Sequence, residues 1–145
     1  MGFGVDRVPS NYKVLGLHQL TSDTATASTH TTFQAEGLTK SITYGGNRIL
    51  RMSVQVHPYA GGGDQRLVYR FMRGSTPLSE FVTTAIAGAS LVHSYFWCYT
   101  FAGPSSGATE TFGVQFRAAS ANTQVQSASS SIVPRVLLIE DLGPQ

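Results

Sequence analysis

The stretch Arg48–Pro58, RILRMSVQVHP, decides the fold. Leu50, Met52, Val54 and Val56 alternate with Arg51, Ser53, Gln55 and His57. Successive side chains of an extended chain point to opposite faces, so a period of two marks a strand with one buried face. Just upstream, Gly45-Gly46-Asn47 is a tight turn of residues that tolerate positive φ, and Thr39–Tyr44 before it reads as another strand. A strand, a turn and an alternating strand are the start of an antiparallel sheet.

The pattern repeats on both sides. Tyr59–Asp64 (YAGGGD) reads as a connecting loop, and Gln65–Arg73 as a strand with Leu67, Tyr69 and Phe71 on one face. Its other face carries Val68, Arg70 and Met72, which predicts a central strand or one whose outer face meets a partner. Gly74-Ser75-Thr76-Pro77 breaks it, Leu78–Thr84 is a short strand, and Ile86–Ala89 a small-residue turn. Ser90–Phe101 is the aromatic centre, followed by a turn at Pro104–Thr109 and an alternating strand at Glu110–Ala118. Gln124–Ala128 reads as a polar strand and Arg135–Glu140 (RVLLIE) as a last strand before Leu142-Gly143-Pro144-Gln145. At the other end, Tyr12–Leu20 is extended, Thr21–Thr32 is a loop or edge strand, and residues 1–11 form an arm. Eight or nine short strands with regular turns and no long helix predict an all-β, antiparallel β-sandwich, a jelly roll with an extended N-terminal arm. The division is an arm at 1–11 and one sandwich domain at 12–145, since 145 residues suffice for a single core.

Composition narrows the class of function. Charged residues are 12% of the chain, against roughly 25% in an ordinary soluble domain, with 16 Ser and 15 Thr filling the difference. Such a chain either coats itself with hydroxyls or hides surface against neighbours. The net charge of +2 comes from scattered basic residues, read as solvated or interface arginines, with no stripe for nucleic acid. The beginning, MGFGVDRVPSNYK, has no apolar signal region, and Asp6 stands where a myristoylation pattern needs Ser or Thr. No apolar run approaches 18 residues, so no membrane partner is expected.

Catalytic and cofactor signatures are missing from the pattern. His18, His30, His57 and His93 are far apart, without carboxylates at metal-like spacing, and there is no G-x-S-x-G elbow. His93 and Cys98 lie five apart on one strand and so point to opposite faces. Gly61-Gly62-Gly63 lacks the Lys-Ser/Thr end and following helix of a phosphate loop. Glu80 and Glu110 are acids without a spacing that pairs them. The expectation is no enzyme, no metal and no cofactor. Cys98, the single cysteine, cannot form an internal disulfide and is expected to be a buried inert thiol.

The aromatic strand carries the interface expectation. Leu91, His93, Tyr95, Trp97, Tyr99 and Phe101 share one face, which already fills a core; Val92, Phe96 and Cys98 share the other. A two-layer sandwich buries one face of each sheet, so the second face needs another cover. Val92, Tyr95, Phe96, Trp97 and Tyr99 are therefore expected at a subunit interface. Phe3, Val5 and Val8, the apolar residues of the arm, are expected to bind a second protein.

The closing VLLIEDLGPQ, Val136–Gln145, resembles the (L/I)(I/V)EDLGP ending of small all-β virion proteins of phages of actinobacteria. The hairpin Ile42–Val56, with its Gly-rich turn and Asn47-Arg48, is similar to a hairpin of the same group. The specific match is confined to these two segments; the run Tyr95–Tyr99 and the YAGGGD loop lie outside the shared pattern. The resemblance implies a virion structural protein with no catalytic residues to carry over. The implied function is a capsid decoration protein that stabilises the phage head as a homo-oligomer, a trimer by expectation. The resemblance further implies assembly in the bacterial cytoplasm and display on the capsid surface, with the major capsid protein as partner and no nucleic acid or membrane. The alternative is a minor tail or receptor-binding protein that stacks sugars on Tyr59, Tyr95 or Trp97.

Overall fold

A computed structural model describes residues 12–22, 24–27, 31–60, 65–85, 94–120, 125–129 and 133–145. The arm residues Phe3, Val5 and Val8, and Val92 of the aromatic segment, lie outside the described residues.

Eleven strands are seen among them: β1 (Lys13–Leu20), β2 (Thr24–Ala27), β3 (Gln34–Tyr44), β4 (Arg48–Val56), β5 (Pro58–Ala60), β6 (Gln65–Arg73), β7 (Thr76–Ala85), β8 (Tyr95–Ala102), β9 (Ala108–Ala118), β10 (Val125–Ala128) and β11 (Arg135–Pro144). The first sheet runs β1-β11-β4-β8 and the second β3-β9-β6-β7, all antiparallel; a small third sheet is β2-β10-β5. Leave the three short strands aside and the pairing is nested. The first long strand pairs with the last, the second with the last but one, β4 with β8, and β6 with its neighbour β7. A long hairpin wound up on itself gives this order, which is the jelly roll expected from the sequence. Of the three short strands, β10 falls on the strand expected at Gln124–Ala128 and β2 within the expected loop or edge strand Thr21–Thr32, while β5, only three residues, is too short to show a period. Thr76 and Pro77 open β7 and do not break the chain, because Pro at the start of an edge strand removes no needed donor.

The two sheets close on side chains that alternate inward. Leu50, Met52, Val54 and Val56 of β4 meet Leu67, Tyr69 and Phe71 of β6, Phe112, Val114 and Phe116 of β9, and Leu137 and Ile139 of β11. Fully burying each such group stabilises by about 1.5–3 kcal/mol, so this interior dominates the stability. On β6, Val68 and Met72 are buried too, although they face away from that interior. The protein's own chain covers them, and β6 lies between β9 and β7 as its two-faced pattern predicted.

The turn between β3 and β4 is tied to the other end of the chain. Asn47 has φ 53 and its N–H reaches the Pro104 carbonyl at 3.1 Å, while its own carbonyl accepts the Gln145 N–H at 2.9 Å. A Cβ on Gly46 would lie 2.0 Å from the Ser105 carbonyl oxygen, so only glycine lets the two turns touch.

The two lateral sides of the sandwich differ. On one, β1 presses on β3: the Thr39 N–H bonds to His18 Nδ1 at 3.0 Å, and Gly16 leaves room for the side chains of Lys40 and Ile42. On the other, β7 and β8 meet through few contacts, chiefly Trp97 stacked on Phe81 and the Tyr95 hydroxyl donating to the Thr84 carbonyl at 2.9 Å.

An ion pair lies inside. Arg135 Nη1 and Glu36 Oε1 are 2.6 Å apart with both side chains fully buried, and Ser127 Oγ donates to the same carboxylate oxygen at 2.7 Å. Desolvation raises the Glu36 pKa despite the attraction of Arg135. Other arginines pair across strands: Arg48 with Asp141, Arg51 with Glu140 and Arg73 with Glu110. Unlike the solvated or interface arginines expected from the sequence, Arg135 is wholly interior.

Candidate interaction surfaces

The first sheet has an outer face made of three rows, each crossing β1, β11, β4 and β8 through residues directly opposite one another. One row is Gln19–Val136–Gln55–Phe96, the next Leu17–Leu138–Ser53–Cys98, and the last Val14–Glu140–Arg51–Thr100. The first two rows contain no charge. Phe96 is 68% exposed and Leu17 50%, which leaves large apolar groups in water on the two edge strands, while Ser53 between them is buried. The third row holds the charges together: Arg51 Nε lies 2.7 Å from Glu140, and the Tyr12 hydroxyl donates to the same carboxylate. Arg51 and Tyr12 hold the Glu140 pKa below the usual carboxylate range, and the Tyr12 phenol is raised by its bond to Glu140.

The second sheet presents the opposite chemistry. Its outer face carries a hydroxyl ladder, Ser41 with Thr111 at 2.6 Å and Thr43 with Thr109 at 2.8 Å. Beside it, Arg70 bonds to Gln115 at 2.9 Å and lies over the Phe33 ring at 3.8 Å. A hollow of about 110 Å³ sits over Gly113, where the row lacks a side chain, between Thr39, Met72 and Gln115. The hydroxyl ladder and the uncharged rows thus lie on opposite faces of one molecule, and the ladder's face also carries Arg70, Glu80 and the 51% exposed Val82 toward β7.

The mouth between β7 and β8 exposes the end of an aromatic column. Phe116, Tyr69 and Phe81 sit directly opposite one another on β9, β6 and β7, with centroids 5.5 and 5.2 Å apart. Trp97, reaching in from the other sheet, stacks on Phe81 at 5.3 Å and is 44% exposed. Tyr69 is pushed up by burial and by Glu36, so its phenol stays neutral.

These positions locate the interface residues expected from the sequence. Tyr95 and Tyr99 face inward and pack against the core, Trp97 faces inward but reaches the rim, and Phe96 faces outward. Cys98 is exposed beside Phe96, which corrects the expected buried thiol. Being on an edge strand, it has neighbours on one side only, and aromatic flanks in sequence do not supply cover in space. The row Leu17–Leu138 was missed by sequence reasoning; the alternation in β1 is broken by a register shift between Val14 and Gly16.

The other groups weighed for chemistry hold structural bonds. His57 is buried, with Nε2 donating to the Pro134 carbonyl at 2.9 Å and Nδ1 beside Ser94 Oγ at 2.9 Å. A carbonyl only accepts, so a neutral His57 carries its proton on Nε2. Glu110 is held by Arg73 at 2.8 Å and by the Tyr44 hydroxyl, and Glu80 lies opposite Arg70. Burial opposes the Glu110 charge, yet Tyr44 and Arg73 leave its pKa lowered; Tyr44 is pushed up to about 12, by burial first and then by Glu110. Among the described residues, no three His, Cys, Asp or Glu side chains gather as metal ligands, and no helix is long and apolar enough to cross a membrane.

No protein-family model matches the chain, and no curated protein matches it. Solved structures with a similar fold include virus and carbohydrate-module domains. Infectious bursal disease virus, Gx strain, aligns at 13% identity over 92% of this chain and 38% of that one, with a TM-score of 0.40. A Clostridium thermocellum xylanase fragment with CBM22-1 and GH10 modules aligns at 11% identity over 90% and 27%, also at 0.40. The CBM22-1 xylan-binding domain of a Paenibacillus barcinonensis enzyme aligns at 11% over 86% and 98%, at 0.35. The chain thus spans less than half the length of the first two. These are likenesses of fold, and fold leaves function open.

Proposed function

We propose that this chain is a non-enzymatic structural protein of a virion, a decoration protein that binds the major capsid protein and stabilises the head. The observation that carries the reading is the uncharged pair of rows Gln19–Val136–Gln55–Phe96 and Leu17–Leu138–Ser53–Cys98, on a jelly roll whose other face carries a hydroxyl ladder and charged groups. Such a molecule has one side to bury and one to leave in water. The ending Val136–Gln145, most of it strand β11 at the centre of that face, is also the segment that resembles phage virion proteins. The arm residues Phe3, Val5 and Val8 supply a second attachment, and many simultaneous weak contacts add up to a firm hold.

The test is the copy number of this chain in purified particles, measured by quantitative mass spectrometry against the major capsid protein. Hundreds of copies per particle, falling sharply when Leu17 is replaced by Lys, agree with the reading. Absence from the particle overturns it.

A second reading rests on Trp97. Its exposed ring at the end of a rigid column suits the apolar face of a sugar, which would make the protein a receptor-binding component of a tail. A handful of copies per particle and saturable glycan binding lost in Trp97→Ala favour that assignment.

A further inference from the structure

A strand at the edge of a sheet offers unpaired N–H and C=O groups, and proteins guard such edges with charge, proline, bulges or short length. Guards are present on the other edges among the described residues. β1 carries Lys13 and a register shift between Val14 and Gly16, and it abuts β3. β3 has a shift between Ala35 and Thr39 and bears Lys40. β7 contains Pro77 and Glu80 and pairs with β6 through a shift at Phe71/Met72. The small sheet ends in strands of four and three residues, β2 and β5.

Among the described residues, the β8 edge has no such guard. Its eight residues, YFWCYTFA, include no charge and no proline. Its register with β4 runs unbroken from Ile49–Ala102 to Val56–Tyr95. Phe96 and Cys98 stand exposed on one face of it and Trp97 on the other.

We propose that β8 pairs antiparallel with β8 of a second copy about a two-fold axis, joining two four-stranded sheets into one of eight. An edge paired antiparallel with its own copy is self-complementary, since each backbone donor meets the equivalent acceptor of its mate. An uncharged strand selects no charged partner and repels none, itself included. The size is adequate: eight residues extend about 27 Å, and one side-chain layer on each face gives a strip about 20 Å deep. That strip is roughly 550 Å² per partner and about 1,100 Å² in all, just above the lower bound for a specific interface. A two-fold axis normal to the sheet keeps outer face beside outer face, so Phe96 and Cys98 of both copies form one patch and the uncharged rows double in width. This contact makes dimers and is separate from the trimer expected from the sequence.

The test uses the full chain in solution, without particles, so its failure is distinct from failure of the decoration reading. Sedimentation of the wild type across about 1–100 µM is run beside hydrogen exchange on the amides of Tyr95–Ala102. The expected result is a reversible dimer, with β8 amides that gain protection as concentration rises. A short bismaleimide should link Cys98 to its mate, which is necessarily intermolecular in a chain with one cysteine. Phe96→Lys should weaken the dimer by at least about tenfold while leaving the monomer's thermal unfolding unchanged. Thr100→Lys, at a second exposed site on the same face, serves if Phe96→Lys does not fold. A monomer throughout, a trimer mass, or a dimer whose β8 amides stay unprotected overturns the proposal.

Discussion

Replacing Arg135 by Met would leave the Glu36 carboxylate buried with Ser127 as its remaining side-chain hydrogen-bond donor. Both charged groups are now fully buried, and Glu36 Oε2 has no hydrogen-bond partner among the described residues. Breaking such a pair from one side costs about 3–5 kcal/mol, because the surviving charge keeps its desolvation penalty and loses its counter-ion. Against a total stability of about 5–15 kcal/mol this is a large share, readable in urea as a fall in midpoint at constant slope. The loss should depend on pH in a definite direction. Without Arg135 the folded-state pKa of Glu36 rises further above its unfolded value. The folded state then binds the extra proton, so stability is retained below the unfolded pKa and drains away as pH rises through the folded one. Arg135→Met should therefore cost less at pH 5 than at pH 8. Adding Glu36→Leu should recover most of the loss at both, since a buried pair replaced by apolar groups is often neutral. A cost below about 1 kcal/mol, or one indifferent to pH and to Glu36, would refute this account of the interior.

Three further predictions concern other parts of the molecule. Gly46→Ala puts a Cβ 2.0 Å from the Ser105 carbonyl, so it should destabilise by about 1–3 kcal/mol and speed hydrogen exchange at Pro104–Gly107; unchanged exchange there would show that the turns do not press together. Glu110 and Glu140 have lowered pKa values, so their stabilisation is in place above the unfolded carboxylate pKa and is lost as pH falls through the folded values. Thermal unfolding should be level near neutrality and fall in acid, with a shallower fall in Glu140→Gln; an equal slope would contradict it. Deleting residues 1–11 removes Phe3, Val5 and Val8 and should abolish incorporation into particles while leaving a folded, soluble protein, and retained incorporation would count against the arm.

Much of the fold was legible because β4, β6 and β9 each hold an inward row of large apolar groups at every second position. The division of β8 into a Tyr95–Trp97–Tyr99–Phe101 face and a Phe96–Cys98 face was legible for the same reason. Which of these faces meets water was not, since that depends on β8 being last in its sheet, a property of topology. Arg135 misled because its partner, Glu36, lies 99 residues away, and nothing near either residue in sequence signals burial. The apolar row on β1 was hidden by its bulge and β5 by its brevity, whereas β10 falls on the polar strand read at Gln124–Ala128 and β2 within the loop or edge strand of Thr21–Thr32. The two-faced pattern of β6 had a plain cause in its central place, whereas that of β8 leaves one face bare.

The central claim is that the outer face of the β1-β11-β4-β8 sheet is buried in a particle. A cryo-electron microscopy map of the intact virion tests it most directly. The account predicts density for this chain on the head, with Leu17, Leu138 and Phe96 packed against capsid protein and the Ser41–Thr111 ladder facing solvent. A chain with those three side chains in open water, or no density for it at all, would contradict the account.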